Sequence, residues 1–205
     1  MTKLDLTKAD KGYYSAGKKP EIVEIGPVQF LSISGKGDPS GRDYLDHVQA
    51  LYATAYTIKF MCKSKALDFV VPKLEGLWGF DSKEQLSMSD TPQNVPRSAW
   101  KYTLLIRMPD FVTGEQVTQA TRSVVQKKQL ARAKNISLLP MHEGKVVQML
   151  HVGPFESEPE TLRIMQEFIA LHKLQQNGSH HEIYLSDINK AAPEKWRTIL
   201  REPVR

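Results

Sequence analysis

Hydrophobic and polar positions alternate most strictly at Glu182-Ile183-Tyr184-Leu185-Ser186-Asp187. Ile183 and Leu185 fall on one face and Glu182, Tyr184 and Ser186 on the other, the pattern of a short strand. With helices packed over the Ile/Leu face, the opposite face carries a carboxylate beside a phenol, a costly pair unless a ligand meets it. The same alternation predicts strands over Val28–Ser34, Trp100–Met108, Lys145–Val152 and Trp196–Arg201. Phe69–Phe80 holds one Pro and two Gly and reads as an extended edge or bulged piece rather than a central strand.

Three segments switch to helical spacing. Leu45, Val48, Tyr52, Ala55 and Ile58 form a buried stripe from about Asp43 to Lys63. Thr113 and Gln116 make a capping box that opens a second helix with Val117, Ala120 and Val124 inward, and Ser157 with Glu160 a further box. Pro159 suits the first turn of that third helix, which runs to about Lys173 with Leu162, Met165, Ile169 and His172 on one stripe, and Asn177-Gly178 stops it. Residues 81–98 form a long polar connection of the kind that often borders a site, and residues 135–140 a plain link.

Both halves thus read strand, glycine turn, helix, strand carrying Glu, link, strand beginning at Trp. The predicted fold is α+β: duplicated β-α-β-β units with pseudo-twofold symmetry, forming an antiparallel sheet with helices on one face and a ligand cleft on the other. A single domain over 1–205 divides into an N-terminal arm (1–19), a first repeat (20–110), a connecting helix and link (111–140) and a second repeat (141–205). In this register Glu75 is the repeat-mate of Glu182, and the two carboxylates face one shared cleft.

Composition narrows the classes. A chain of 205 residues with 40% hydrophobic content buries a core of its own. Its net charge is +5, but acidic residues are scattered among the basic ones, and the basic run from Gln126 to Lys134 fits the solvated end of a helix. No nucleic-acid-binding signature accompanies it, so direct nucleic-acid binding is not expected. The lone Cys62 excludes an internal disulfide and suits a reducing compartment. The N-terminus lacks a signal peptide's apolar core and no apolar run reaches membrane-spanning length, so a cytoplasmic protein without a membrane partner is expected.

Candidate chemistry concentrates on the Glu/Tyr strand face. In an apolar cleft the Glu182 carboxylate is poorly solvated and its pKa should rise unless a cation or donor offsets this. So placed, it can attract a cation or act as general acid or base. Glu75 would divide that work with it, or simply cap a bulge. Trp78 offers a flat wall for an aromatic ligand, with core packing as the alternative. The hydroxyls of Tyr184 and Tyr102 can meet a ligand, Tyr102 leaning to the core because Leu104 and Ile106 share its face. Tyr56 sits at the margin of its helical stripe, where it reaches a pocket rim. His151, His180 and His181 lack metal-ligand spacing, and no metal or other cofactor is expected. Gly35-Lys36-Gly37-Asp38-Pro39-Ser40-Gly41 is a turn, not a phosphate loop.

Several stretches carry a family resemblance: Lys19-Pro20-Glu21-Ile22-Val23-Glu24, Gly35-Lys36-Gly37-Asp38-Pro39, Leu74-Glu75-Gly76-Leu77-Trp78, His151-Val152-Gly153-Pro154-Phe155-Glu156, His181 to Asp187, and Ala192 to Val204. With these the chain resembles a stand-alone GyrI-like small-molecule-binding protein. The resemblance implies a duplicated unit with a central cleft, shared with effector-binding domains of multidrug-sensing regulators. It implies a pocket-floor glutamate at Glu182; Phe155 and Glu156 are candidate ligand contacts on the turn after His151, and His151 itself reads as a turn-side hydrogen-bonder near the cleft mouth. Phe155 stands where a Tyr is common in the family, and Gly79 where an aromatic often follows the Trp. The chain lacks the sensors' helix-turn-helix. Some stand-alone relatives hydrolyse cyclopropane rings of DNA-alkylating natural products, while others have no known turnover. Two readings therefore stay open: a hydrolase of an aromatic or lipophilic, electrophilic or cationic small molecule, and a non-catalytic sensor or sequestering protein with an unknown protein partner.

Overall fold

The computed structural model describes residues 3–80 and 95–205. Eight strands form one antiparallel sheet: β1 (Glu21–Ile25), β2 (Val28–Lys36), β3 (Leu74–Phe80), β4 (Trp100–Met108), β5 (Ser137–Met141), β6 (Gly144–Val152), β7 (His180–Tyr184) and β8 (Arg197–Pro203). Their order is β1-β6-β8-β7-β3-β4-β2-β5. Among the described residues, helix α1 (Leu6–Ala9) is a single turn, and α2 (Arg42–Lys63), α3 (Gly114–Lys128) and α4 (Glu158–Leu171) are the longer helices.

The expected duplication is present. Strands β2-α2-β3-β4 of the first half answer β6-α4-β7-β8 of the second, and β7 pairs with β3 at the centre. The details repeat too. Trp100 and Trp196 each follow a 3-10 turn, and each indole donates to a carbonyl five residues earlier, Val95 (3.1 Å) and Ala191 (2.8 Å). Each Trp carbonyl accepts from a glycine N–H, that of Gly37 (2.8 Å) or Gly153 (3.0 Å). Both glycines have positive φ, +130° and +144°, a conformation that side-chain-bearing residues avoid.

The edge strands are exchanged. β1 precedes β2 in the chain but pairs with β6, and β5 precedes β6 but pairs with β2. Only Gly26 and Pro27 separate β1 from β2 although the two lie near opposite ends of the strand order. The sheet must therefore curl until its ends approach, giving a half-barrel. Its outer face packs against α2 and α3 through Leu31, Ile33, Trp78, Leu104 and Ile106, and against α4 through Val147, Met149 and Leu200. Its inner face is closed by Phe30, Leu105, Val146, Ile183 and Ile199 together with Tyr13 and Tyr14 from the N-terminal segment.

Several expectations change. β3 is a central strand, not an edge or bulge, because β4 and β7 satisfy its two sides. Residues 137–141 form the edge strand β5, where Pro140 is tolerated on the outermost position. The segment 21–25 is a strand that periodicity passed over. The Thr113/Gln116 capping box is present, but Ser157 makes no cap bond to α4; its hydroxyl turns to Pro154 O (2.8 Å) and His151. α4 stops at Leu171, so His172 lies beyond it and is exposed, stacking on Phe168. The polar connection expected over 81–98 falls largely on 81–94, outside the described residues. No helix among the described residues is long and apolar enough to cross a membrane.

Candidate active site

The β3–β7 register decides which side chains meet. Gly76 lies opposite Glu182, Trp78 opposite His180, Leu77 opposite His181 and Glu75 opposite Ile183. Partners across an antiparallel pair share a face, and neighbours along a strand do not. Glu182, His180, Tyr184 and Trp78 therefore stand on the outer, helix-bearing face, while Glu75 and His181 point into the half-barrel. Glu75 and Glu182 do not face one cleft. The position answering Glu182 in the first half is Gly76, because Trp78 pairs with Tyr102 as Tyr184 pairs with Thr198. A repeat alignment displaced by one residue moves a side chain to the other face. The Glu/Tyr face is likewise the helix side rather than the side away from the helices.

On the outer face a polar chain crosses the centre of the sheet. Trp78 Nε1 donates to Tyr184 Oη (3.0 Å), and the Tyr184 hydroxyl donates to Glu182 Oε2 (2.6 Å). Gly76 makes room for this: a Cβ there would lie 2.9 Å from Trp78 Nε1 and 3.1 Å from Tyr184 Oη. Burial, and after it the Glu182 charge, push the Tyr184 phenol well above its ordinary pKa, so it stays a donor. On the other side, His180 Nδ1 binds Glu202 Oε1 at 2.8 Å, and His180 Nε2 stands 3.3 Å from Glu182 Oε1. Burial opposes the charge on His180, but Glu202 and Glu182 together raise its pKa to about 10. At neutral pH His180 is thus an imidazolium between two carboxylates, and Glu182 has both a donor and a cation beside it.

Aromatic walls flank this carboxylate. Tyr44, from the first turn of α2, stacks on Trp78 with centroids 6.1 Å apart, and its phenol is pushed up by burial and by Glu182. From the other half, Phe155 meets Tyr184 edge-on at 5.9 Å and Trp196 at 5.1 Å. The helices contribute one more acid. Glu158, the first residue of α4, is 7% exposed, and its Oε1 has no hydrogen-bond partner. Burial pushes its carboxyl well above the ordinary range and the Glu182 charge adds to this, against opposing contributions from His180 and a hydrogen bond to Thr198. Glu182 itself is 9% exposed.

Of the remaining sequence candidates, Tyr102 packs behind the aromatic walls, 5.9 Å from Trp78 and 5.0 Å from Tyr44, and the others lie away from Glu182. Tyr102 is core: its ring lies over Gly35 and its oxygen is 3.1 Å from His47 Nδ1. Tyr56 is 45% exposed on α2, and Glu156 is exposed on the turn before α4. His151 is buried and clamps that turn through Thr161 Oγ1 (2.8 Å) and Pro154 O (3.2 Å), and burial lowers its pKa. Glu75 accepts from Tyr13 (2.5 Å) and from His181 Nε2 (3.0 Å), while His181 Nδ1 and Arg201 both reach Glu143. Burial alone would raise Glu143, but His181 and Arg201 hold it below the usual carboxylate range. This is an internal strut that ties the N-terminal segment into the half-barrel. Tyr44 and Glu158 were missed in the sequence, since helix-start residues show no periodic signal that marks them as cleft-facing. Among the described residues no group of three or more His, Cys, Asp or Glu side chains is arranged to hold a metal ion.

A buried carboxylate ringed by Trp, Tyr and Phe at the pseudo-twofold of a duplicated sheet defines a small-molecule-binding domain. Residues 18–205 match the model of the GyrI-like small molecule binding domain, and the chain belongs to that family. Solved structures agree. An uncharacterized conserved protein from Listeria innocua is 42% identical, with a TM-score of 0.89, covering 99% of this chain and 100% of its own. A hydrolase from Listeria innocua is 41% identical, with a TM-score of 0.85 and the same coverage. The EcmrR C-terminal domain, 14% identical over 91% of this chain and 97% of its own, shares the fold at a TM-score of 0.57. No curated protein matches the chain.

Proposed function

We propose that this chain binds an aromatic or lipophilic, electrophilic small molecule between α2 and α4, over the β3–β7 pair, and hydrolyses it. The observation that carries this reading is Glu182: a carboxylate on the floor of an aromatic-walled site, oriented by Tyr184 and faced by a glycine. In the cleft, Trp78, Tyr44 and Phe155 supply flat apolar surface for the ring system. Glu182 takes a proton from a water as that water attacks the electrophilic carbon. Tyr184 on Oε2 and His180 beside Oε1 hold the Glu182 carboxylate in place, and the second lone pair of each oxygen is left for the water. Hydrolase-named relatives at 40% identity or above support turnover over mere sequestration. A cyclopropane conjugated to a carbonyl, as in DNA-alkylating natural products, is the substrate class the family resemblance favours.

Incubation of purified protein with aromatic cations and cyclopropane-bearing electrophiles, followed by mass spectrometry, tests this. Wild type should yield ring-opened product with one water added, and Glu182→Gln should bind the same compounds and return them intact. Tight binding with every ligand recovered unchanged from wild type would make the protein a sequestering binder instead.

A further inference from the structure

Hydrolysis by Glu182 as base also needs a group that protonates the oxygen on which charge develops. Opening a strained ring conjugated to a carbonyl throws an electron pair onto the carbonyl oxygen, and a buried apolar cleft is a poor place to leave that charge unprotonated. We propose that Glu158 is the general acid of the cleft, acting on the oxygen that gains charge while Glu182 deprotonates the attacking water. This rests on the hydrolase reading of the same site.

Three observations on the structure converge on Glu158. Its side chain is nearly fully buried, yet Oε1 is left without a partner, a state that costs free energy and that a bound acceptor would relieve. Its position follows from the duplication. α2 and α4 start equivalently after their glycine turns, and where the first half places the bulky Tyr102 the second places Thr198, which hydrogen-bonds Glu158. The groups that act on it are Glu182 and His180 of β7, Thr198 of β8 and Glu156 of the preceding turn, and the phenol of Tyr184 feels its charge. Burial and the Glu182 charge both favour its protonated form, and His180 opposes them without prevailing. A buried carboxyl held toward its protonated form, with an unpartnered oxygen, beside a second carboxylate is an arrangement that can divide acid from base.

Water oxygen bonds to the ring carbon as the ring carbon–carbon bond breaks, and that bond's electron pair passes through the conjugated system to the carbonyl oxygen. Glu158 delivers its proton to this oxygen, and Glu182 accepts one from the attacking water. The product carries the elements of one water, and proton exchange with solvent resets both carboxyls.

The test uses two spiro-cyclopropyl cyclohexadienones, which water opens to hydroxyethyl phenols. One yields an ordinary phenol and the other, ring-halogenated, a much more acidic phenol that leaves without protonation. Rates are followed by absorbance against pH for wild type and Glu158→Gln. The amide mimics the neutral acid, and its folding is checked by thermal melt. The expected result is a loss of about 10²- to 10⁴-fold for the ordinary substrate, a much smaller loss for the acidic one, and disappearance of the alkaline fall in rate. Infrared difference spectra should also lose the carbonyl band of a protonated carboxyl at neutral pH. Equal losses for both substrates, or no loss, overturn the assignment while leaving the hydrolase intact. If wild type binds both probes and opens neither, the hydrolase reading falls and the acid with it.

Discussion

Gly76 and Glu182 face each other across the central strand pair, and they are also the equivalent positions of the two repeats. One half of the duplication supplies a carboxylate and the other supplies the space around it. A symmetric pair of glutamates here would set two like charges against each other at the axis. The asymmetry of one residue lets Trp78 and Tyr184, equivalent to one another, join in a single hydrogen-bonded chain ending on Glu182.

Gly76→Ala tests that space directly. The new methyl would press on Trp78 Nε1 and Tyr184 Oη at 2.9 and 3.1 Å, and the backbone of a central strand cannot yield freely. Ligand affinity should fall at least tenfold, with a stability loss of about 1–3 kcal/mol. Calorimetric titration and urea unfolding read the two effects. Wild-type affinity in this variant would refute the role given to Gly76.

Tyr184→Phe removes the donor to Glu182 and leaves the Trp78 N–H without its acceptor. The expected cost is about 1–3 kcal/mol of stability, together with a weaker preference for cationic over neutral ligands of the same shape. Equilibrium unfolding and a matched ligand pair check it.

Glu75→Gln separates the inner face from the outer. Glu75 is fully buried on the inner face and holds Tyr13 and His181. Its loss should lower the melting temperature by several degrees, in line with breaking a buried ion pair. Turnover per folded molecule should stay at the wild-type value. A collapse of turnover in a protein that still melts like wild type would return Glu75 to the chemistry.

Stability should fall as pH rises from near neutrality. The folded pKa of His180 lies at about 10, above its ordinary 6.5. Its contribution is therefore complete below about pH 6.5 and is lost as pH climbs toward 10. Glu158 acts with the same sign: its folded carboxyl is held above the ordinary range, so its contribution is present below the ordinary carboxylate pKa and is lost as pH rises from there toward the folded value. Urea unfolding free energies should decline by several kcal/mol across this window, and His180→Asn should flatten the decline. A stability profile that rises between neutrality and pH 10 would contradict the ion pairs drawn around His180.

Local pattern settled much of this. Alternation marked β2, β4, β6 and β8 because each buries at least one face, and the strand from Trp100 to Met108 ends where periodicity ends it. Helical spacing located α2, α3 and α4, and Thr113 with Gln116 capped α3 as their side chains require. Alternation also put Glu182 and Tyr184 on one face, since period two is a property of the strand alone. Which strand lies beside β7, and in what register, is a property of two segments distant in the chain. That pairing set Gly76 rather than Glu75 against Glu182, brought Trp78 to Tyr184, and sent Glu75 inward to His181. The curl of the sheet, forced by the exchange of β1 and β5 between halves, filled the inner face with Tyr13 and Tyr14 and left the helix side for the site. Only the docking of α2 and α4 on that side could bring Tyr44 and Glu158 to the carboxylate, because burial of a helix's first turn depends on where the helix lands and not on its own sequence.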